Sequence, residues 1–150
     1  MTKPATITKD SGWMDKINSN FSGLVTDTNW QSTGITYLNG WKQDPLDPIQ
    51  YRTITIGDLV MIEIGGWVSG PAMSATSNIT DICTLPDAVV KYFTDSYNTK
   101  VTIGQATKRA ISGNASVSDG KLHFVIYGNY TLTAGDGFWI GLLALAAPKQ

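Results

Sequence analysis

Few side chains in this sequence could perform acid–base or nucleophilic chemistry. A Ser–His–Asp arrangement for nucleophilic catalysis would have to use His123, which is the only histidine. His123 stands between Leu122 and Phe124 in an alternating stretch, so it points away from the apolar face that those two residues define. This position favours a histidine on a solvent-facing or subunit-facing surface, with a ligand contact as the alternative.

The sequence also offers few residues for catalysis by paired carboxyl groups. Glycoside hydrolysis needs two carboxyl groups flanking one bond, roughly 5–9.5 Å apart, and the chain has a single glutamate, Glu63. We expect Glu63 at an interface or core edge, paired with Arg52 or Arg109. Most aspartates occur in turn sequences, where bonds to the local backbone explain them. With no Cys/His cluster and no EF-hand spacing, the sequence predicts no metal, no cofactor and no enzyme activity.

Ligand binding is better supported, because the chain has five tryptophans and six tyrosines. Aromatic rings offer apolar area together with a polar edge, which suits the C–H patches and hydroxyls of sugars. For each ring, ordinary packing is the alternative. We predict a shallow groove between neighbouring subunits, lined by His123, Tyr127, Arg109, Trp139 and one long-loop aromatic, Tyr92 or Tyr97, with Trp41 as a further candidate.

Composition argues against other classes of function. The net charge is −1 and Lys and Arg form no run, so nucleic-acid binding through phosphates is not expected. The longest apolar segment is far shorter than the roughly 20 residues of a membrane-spanning helix, which predicts no membrane insertion. The first residues lack the apolar stretch of a secretory signal, so an extracellular role would need another route, such as release by lysis inside an assembled particle.

One helix is predicted near the front of the chain, over Gly12 to Leu24. Apolar residues recur there at spacings of four, four and three and form one stripe. Asp10 or Ser11 could cap its start, and Gly23 marks its end. A helix of about three turns is marginal alone, so its stripe must dock on another surface. The stripe consists of Trp13, Ile17, Phe21 and Leu24.

After the helix, Val25 to Ser32 is predicted to be a linker, which divides the chain into residues 1–32, with the helix, and 33–150, a β domain. Asp119-Gly120 is the clearest hairpin turn, since a type I′ turn needs positive φ at both central positions. The pattern predicts an all-β fold, a jelly-roll-like antiparallel sandwich preceded by a short helix. Its candidate strands are Gly34–Leu38, Gln50–Ile56, Leu59–Ser69, Ser77–Thr84, Lys100–Ile111, Asn114–Val117, Lys121–Tyr130 and Gly137–Ala146, and its longest loop is Leu85–Thr99.

The last predicted strand, Gly137–Ala146, is apolar at nearly every position. A strand covered on one side alternates apolar and polar residues, and this one does not. One face is therefore expected to fill the core of the subunit and the other to need a second partner, most simply another copy of the chain. The sequence predicts an oligomer.

Three stretches together resemble the small head domains of receptor-binding and baseplate proteins of tailed bacteriophages with Gram-positive hosts. Residues 15–21 (DKINSNF) resemble the "I-N-x-N-F" helices of many tail-tip proteins. Residues 50–62 and 65–70 look like the "Y-R-K-I-G-N-x-V-x-I-x-G-x-V" hairpin of that group, and residues 84–86 (TLP) resemble the turn that follows it. The chain has no match to the "G-H-x-x-G-x-x-x-x-F-H-I-D" stretch of the best-known heads, so their ligand residues do not transfer.

This resemblance implies a homotrimeric jelly-roll-like head at the tail tip or baseplate, made in the host cytoplasm and released with the virion. It implies attachment to a host cell-wall polysaccharide or teichoic acid, and other tail or baseplate proteins as partners. It also implies that residues 1–32 serve attachment and trimerisation, with virion attachment or contact with symmetry mates assigned to the stripe of Trp13, Ile17, Phe21 and Leu24. The alternative function is a purely structural tail or baseplate component that binds only other virion proteins. The identity of the sugar stays open.

Overall fold

Alternating apolar residues and closely spaced turns produce a chain of short antiparallel strands. The structure, a computed structural model, describes residues 12–76, 79–93, 113–126 and 129–146. Within these ranges the helices are α1 (Trp13–Ser22) and α2 (Asp87–Val90). The strands are β1 (Val25–Asp27), β2 (Thr36–Tyr37), β3 (Lys42–Gln43), β4 (Gln50–Ile56), β5 (Leu59–Ser69), β6 (Met73–Thr76), β7 (Ile79–Thr84), β8 (Gly113–Ser118), β9 (Lys121–Ile126), β10 (Asn129–Leu132) and β11 (Gly137–Ala146).

Two sheets form the body of the protein, and all their strand pairs are antiparallel. The large sheet has the order β1-β4-β5-β11, and β3 also pairs with β5 beyond the end of β4. The small sheet has the order β2-β7-β9-β8, and β10 pairs separately with β6. Strands make up 53% of the structure. The prediction of an all-β fold preceded by a short helix is confirmed.

The core lies between the inner faces of the two sheets. Phe124 on β9 and Phe138 on β11 approach with ring centroids 5.1 Å apart, so the small and large sheets face each other. Trp41 packs edge-on against both rings, at 5.7 and 5.9 Å. Its indole N–H donates to the Thr80 hydroxyl across 3.3 Å. Trp41 is only 3% exposed, so its predicted role in ligand binding is wrong, and it is a core residue.

Several predicted strands appear with the expected limits. β4, β5 and β11 have the predicted bounds, and the β8–β9 hairpin turns at Asp119-Gly120, where both residues have positive φ (48° and 71°). The predicted strand Lys121–Tyr130 contains β9 and the start of β10, and its residues 127–128 lie outside the described residues. The predicted strand Lys100–Ile111 lies outside the described residues.

The predicted linker is wrong, because Val25 to Asp27 form the first strand of the large sheet. β1 pairs with β4, with Val25 opposite Ile56. The pairing continues beyond β1, where the Gln31 amide donates to the Tyr51 carbonyl across 3.0 Å. A boundary at residue 32 would therefore cut through hydrogen bonds of the sheet. The predicted long loop also differs, since α2 lies within it.

The helix agrees with its prediction to within one or two residues at each end, since α1 spans Trp13–Ser22. Gly23 is its C-cap, as expected. Gly12 is its N-cap, and the predicted caps Asp10 and Ser11 lie outside the described residues. Phe21, in the predicted apolar stripe, is 67% exposed, so its ring is available to a partner.

Candidate functional site

The outer face of the large sheet, which points away from the core, collects most of the exposed apolar and aromatic side chains. Residues of β5 alternate strictly between half-exposed and buried positions after Leu59, which places the odd-numbered residues on this face. Directly paired residues of β4 and β11 share it. Arg52, Glu63 and Leu143 therefore lie in one row across the three strands, and Trp67 lies beside Trp139.

Two paired glycines leave the backbone at one point of this face without side chains of its own. Gly65 on β5 lies directly opposite Gly141 on β11. The six-membered ring of Trp139 occupies the space that a side chain at position 141 would need, because a Cβ there would be 2.1 Å from its Cη2 atom. The ring of Trp30 lies over the neighbouring glycine, 3.7 Å from the corresponding position at Gly65. Both indoles remain exposed, Trp30 by 44% and Trp139 by 43%.

A small network of ion pairs lies beside these two glycines. The Arg52 guanidinium pairs with the Glu63 carboxylate through its Nε atom and with Asp27 Oδ2 through Nη1, the latter across 3.3 Å. Its central carbon lies 4.9 Å from the centroid of the Trp30 ring, a cation–π distance. The hydrogen bond to Glu63, together with the charges of Glu63 and Asp27, raises the pKa of Arg52. The predicted pairing of Glu63 with Arg52 is confirmed.

These side chains form one surface, which we call the indole platform. It combines exposed aromatic rings with planar polar groups, the two features that were expected of a saccharide site. The residues of the indole platform are Asp27, Trp30, Arg52, Glu63, Trp67 and Trp139.

A second surface on the same face is purely apolar. On β11 the buried residues Phe138, Ile140, Leu142 and Ala144 fill the core, as predicted for one face of this strand. The opposite face exposes Leu143 and Leu145. The end of α1 lies beside the β4–β5 turn, where the Gly57 amide donates to the Leu24 carbonyl across 3.0 Å. We call this surface the apolar surface, and its exposed residues are Phe21, Leu24, Val25, Ile56, Leu59, Leu143 and Leu145.

The small sheet carries a different polar cluster on its own outer face. His123 Nδ1 lies 2.8 Å from Asp81 Oδ1, and His123 Nε2 lies 2.8 Å from the Ser118 hydroxyl. The Lys121 ammonium group donates to Asp81 Oδ2 across 2.8 Å. Ser118, His123 and Asp81 thus form the Ser–His–Asp arrangement for which the sequence analysis named His123 as the only available histidine.

The hydrogen bonds at His123 depend on which ring nitrogen carries the proton. Nε2 also lies 3.0 Å from the Ser118 carbonyl oxygen, which can only accept a hydrogen bond. An Nε2–H that donates to this carbonyl has no lone pair left to take the proton of the Ser118 hydroxyl. The cluster joins the β8–β9 hairpin to β7 beside a bulge, where Asp81 pairs with His123 and Cys83 pairs with Leu122.

Acid should weaken this cluster first at Asp81. Its hydrogen bonds with Lys121 and, to a smaller degree, His123 lower the pKa of the Asp81 carboxyl. The pKa of this carboxyl is therefore lower in the folded protein than in the unfolded chain, where it is about 3.9. The ion pairs of Asp81 stabilise the fold fully above that unfolded-state pKa, and this stabilisation is lost as the pH falls through the folded-state pKa. Asp81→Asn should therefore lower the unfolding temperature at pH 7 by roughly 2–4 °C. This difference should shrink below about pH 4, where the wild-type carboxyl takes up its proton.

Thermal unfolding followed by circular dichroism at several pH values measures this effect. Asp119→Asn is the matched control, because it removes an exposed carboxylate from the same hairpin and Asn tolerates the positive φ found there. A constant difference between Asp81→Asn and the wild type from pH 7 to pH 3 would contradict the proposed role of this carboxylate.

The structure separates residues that the groove prediction grouped together. His123 lies on the outer face of the small sheet and Trp139 on that of the large sheet, so within one subunit they lie on opposite sides of the core. Tyr92 is half-buried and packs against the core, with the Lys91 ammonium 4.9 Å from its ring centroid. The remaining groove candidates, Arg109, Tyr127 and Tyr97, lie outside the described residues.

The groove prediction left out Trp30, Trp67 and Arg52. A signal for one part of the platform is present in the sequence, since Trp139 and Gly141 are two residues apart in one strand and share a face. A glycine at that spacing leaves room for an indole to lie along its own strand. No comparable signal marks Trp30, which precedes the bridge between Gln31 and Tyr51.

Searches for other kinds of site and for relatives gave negative results. Neither α1 nor α2, the helices of the described ranges, is long and apolar enough to cross a bilayer. Among the same residues, no group of three or more His, Cys, Asp or Glu side chains is placed to hold a metal ion. No model of a known protein family matches the chain, and no curated protein matches it at a significant level.

Proposed function

We propose that this chain is a receptor-binding protein of a bacteriophage tail tip or baseplate, which attaches the virion to a saccharide on the host cell surface. Two things support the proposal: the resemblance of three sequence stretches to head domains of that group, and the arrangement of the large sheet. Attachment needs one surface for the particle and another for the cell.

The observation that carries the proposal is that the two surfaces extend toward opposite ends of one sheet and adjoin in its middle, where Leu143 of the apolar surface lies opposite Glu63 of the platform. The apolar surface lies at the end of β5 nearest α1, where Leu59 begins the strand. The indole platform extends toward the other end, to Trp67. Eight residues separate Leu59 from Trp67, which is about 27 Å along a strand that rises roughly 3.4 Å per residue. A ligand on the platform would therefore leave the helix end free for assembly.

We further propose that the apolar surface packs against other copies of the chain in a homotrimer of jelly-roll-like heads. Leu143 and Leu145 of β11 and Leu59 of β5 are exposed on one face of the large sheet, and exposed apolar residues grouped in this way mark interaction sites. Three equivalent platforms on one trimer would bind a repeating wall polysaccharide or teichoic acid together. Tethered sites of this kind can gain roughly 10²–10⁴-fold in avidity.

The alternative of a purely structural tail or baseplate component has one observation in its favour, since exposed Trp30 and Trp139 could also contact another virion protein. The two functions differ in what covers the platform. A structural component would have the platform buried in the assembled particle, whereas a receptor-binding protein would expose it to the cell.

The solution mass of the full chain tests the assembly part of this proposal. We expect a trimer at micromolar concentration, and Leu145→Lys should dissociate it by placing a charge in the apolar surface. Leu46→Lys is the matched control, because Leu46 is 94% exposed in a loop outside that surface and should leave the mass unchanged. A wild-type monomer would overturn the proposed trimer.

Retention on purified walls from Gram-positive candidate hosts tests receptor binding. The full chain should be retained, and Trp139→Ala should abolish retention without changing the unfolding temperature by more than a few degrees. Soluble polysaccharide extracted from the same walls should compete. Binding to isolated tails without retention on any wall would favour the structural alternative.

A further inference from the structure

The charges around the indole platform determine which kind of saccharide it can accept. We propose that its ligand is an uncharged pyranose repeat and not a phosphate-bearing one; this inference rests on the proposed function of the same surface. Cell-wall glycans of both kinds are candidates for that function, so the distinction narrows the receptor to one chemical class.

The cation at the centre of the platform is already neutralised. Arg52 is bonded to both Glu63 and Asp27, which leaves the three residues with one excess negative charge. These side chains are only about one-quarter to one-third exposed, so their charges are partly shielded from solvent. A phosphate that approached Arg52 would lie about as close to the two carboxylates as to the guanidinium. Its repulsion by the two carboxylates would exceed its attraction to the one guanidinium.

The other described cation on this face lies near the Trp67 end of the platform, far from the carboxylates beside Arg52. Lys42 on β3 pairs with Ser69 on β5, six residues beyond Glu63. Six residues correspond to about 20 Å along the strand. Interactions between exposed charges are largely screened beyond about 8 Å at physiological ionic strength, so Lys42 contributes little at the centre of the platform.

The C–H groups and hydroxyls of an uncharged pyranose match the aromatic rings and hydrogen-bonding groups of the indole platform. The exposed ring of Trp139 over Gly141 offers an apolar surface for the C–H groups of a sugar. Glu63 and Asp27 are acceptors, and sugar hydroxyls can donate to their free lone pairs. The guanidinium stacked on Trp30 is held in place by its two carboxylate partners, so its remaining N–H groups can donate to hydroxyl oxygens without reorientation.

Binding of the full chain to an array of matched glycans tests this inference. The probes are neutral hexose oligosaccharides, the same oligosaccharides bearing a phosphate monoester, and poly(glycerol phosphate). We expect at least one neutral oligosaccharide to bind about tenfold more tightly than its phosphorylated counterpart. Its affinity should change less than twofold between roughly 50 and 500 mM salt, since screening acts on charge pairs.

Glu63→Gln and Lys42→Gln distinguish the platform from the rest of the face. Glu63→Gln removes one carboxylate beside Arg52 and should reduce the preference for the neutral ligand several-fold. Lys42→Gln is the matched control, which should leave the preference unchanged. Tighter, salt-sensitive binding of the phosphorylated probes would overturn the inference and leave receptor binding standing. Binding to none of the probes and to no host wall would overturn both.

Discussion

A Gly66→Ala variant is expected to lose about 3 kcal/mol or more of folding stability. Gly66 has a φ of 134°, which side-chain-bearing residues rarely adopt, and an added Cβ would lie 2.3 Å from the Pro48 carbonyl oxygen and 2.9 Å from the Ile49 Cα atom. Both contacts are with backbone. They lie where the chain before β4 runs parallel to β5 and the Trp67 amide donates to the Asp47 carbonyl across 2.7 Å. Relief of the clash must therefore separate two paired segments.

Thermal unfolding measures this effect, and we expect the midpoint to fall by roughly 10 °C. Gly23→Ala is the matched control, because Gly23 is in the right-handed helical region and its nearest neighbour would be 3.8 Å from the new methyl group. Equal midpoints for the two variants would mean that β5 tolerates a side chain at position 66 and that the close approach at Pro48 is not a constraint of the fold.

The second large effect is expected for ligand binding, from Gly141→Ala. The new methyl group would occupy the space of the Trp139 ring, at 2.1 Å from Cη2. Since this atom is the far end of an exposed side chain, the indole can swing away at little cost to stability. Loss of the stacking surface should weaken retention on host walls at least tenfold, as expected when an aromatic anchor is removed from a binding site.

Gly137→Ala provides the control for this variant. It adds the same methyl group to the same strand, but its nearest neighbour, Cε3 of Trp67, is 3.8 Å away at ordinary contact distance. Wall retention and the unfolding midpoint should be measured for both variants. Full retention by Gly141→Ala would contradict the proposed stacking surface formed by the Trp139 ring over Gly141.

Local sequence patterns predicted those strands and turns whose conformation is determined by residues close to them in the chain. The two glycine-containing turns, Gly57-Asp58 and Gly70-Pro71, gave β5 its bounds. The Asp119-Gly120 pair gave the hairpin, because few residues other than Gly, Asn and Asp accept a positive φ at both positions. The double apolar character of Gly137–Ala146 likewise indicated one buried face and one exposed apolar face.

Other features depend on contacts between distant segments and could not be read from local patterns. Val25–Asp27 has no alternation of its own and is a strand because β4 offers it a free edge. The bulge before Cys83 places Ile82 and Cys83 both in the core, which a simple alternation does not allow. The face of a side chain within its strand was predicted correctly for His123. The sequence did not indicate the sheet to which that strand belongs, and within one subunit His123 and Trp139 lie on different sheets.

The direct continuation of α1 into β1 has a mechanical consequence. If α1 is anchored in a particle and the platform holds a cell, tension between them passes through the hydrogen bonds that link β1, β4, β5 and β11. The load then remains within a single sheet and does not pull the two layers of the sandwich apart. The three residue pairs between β1 and β4 form the shortest ladder on this path, so under such a load they are expected to separate before the longer ladders of the sheet.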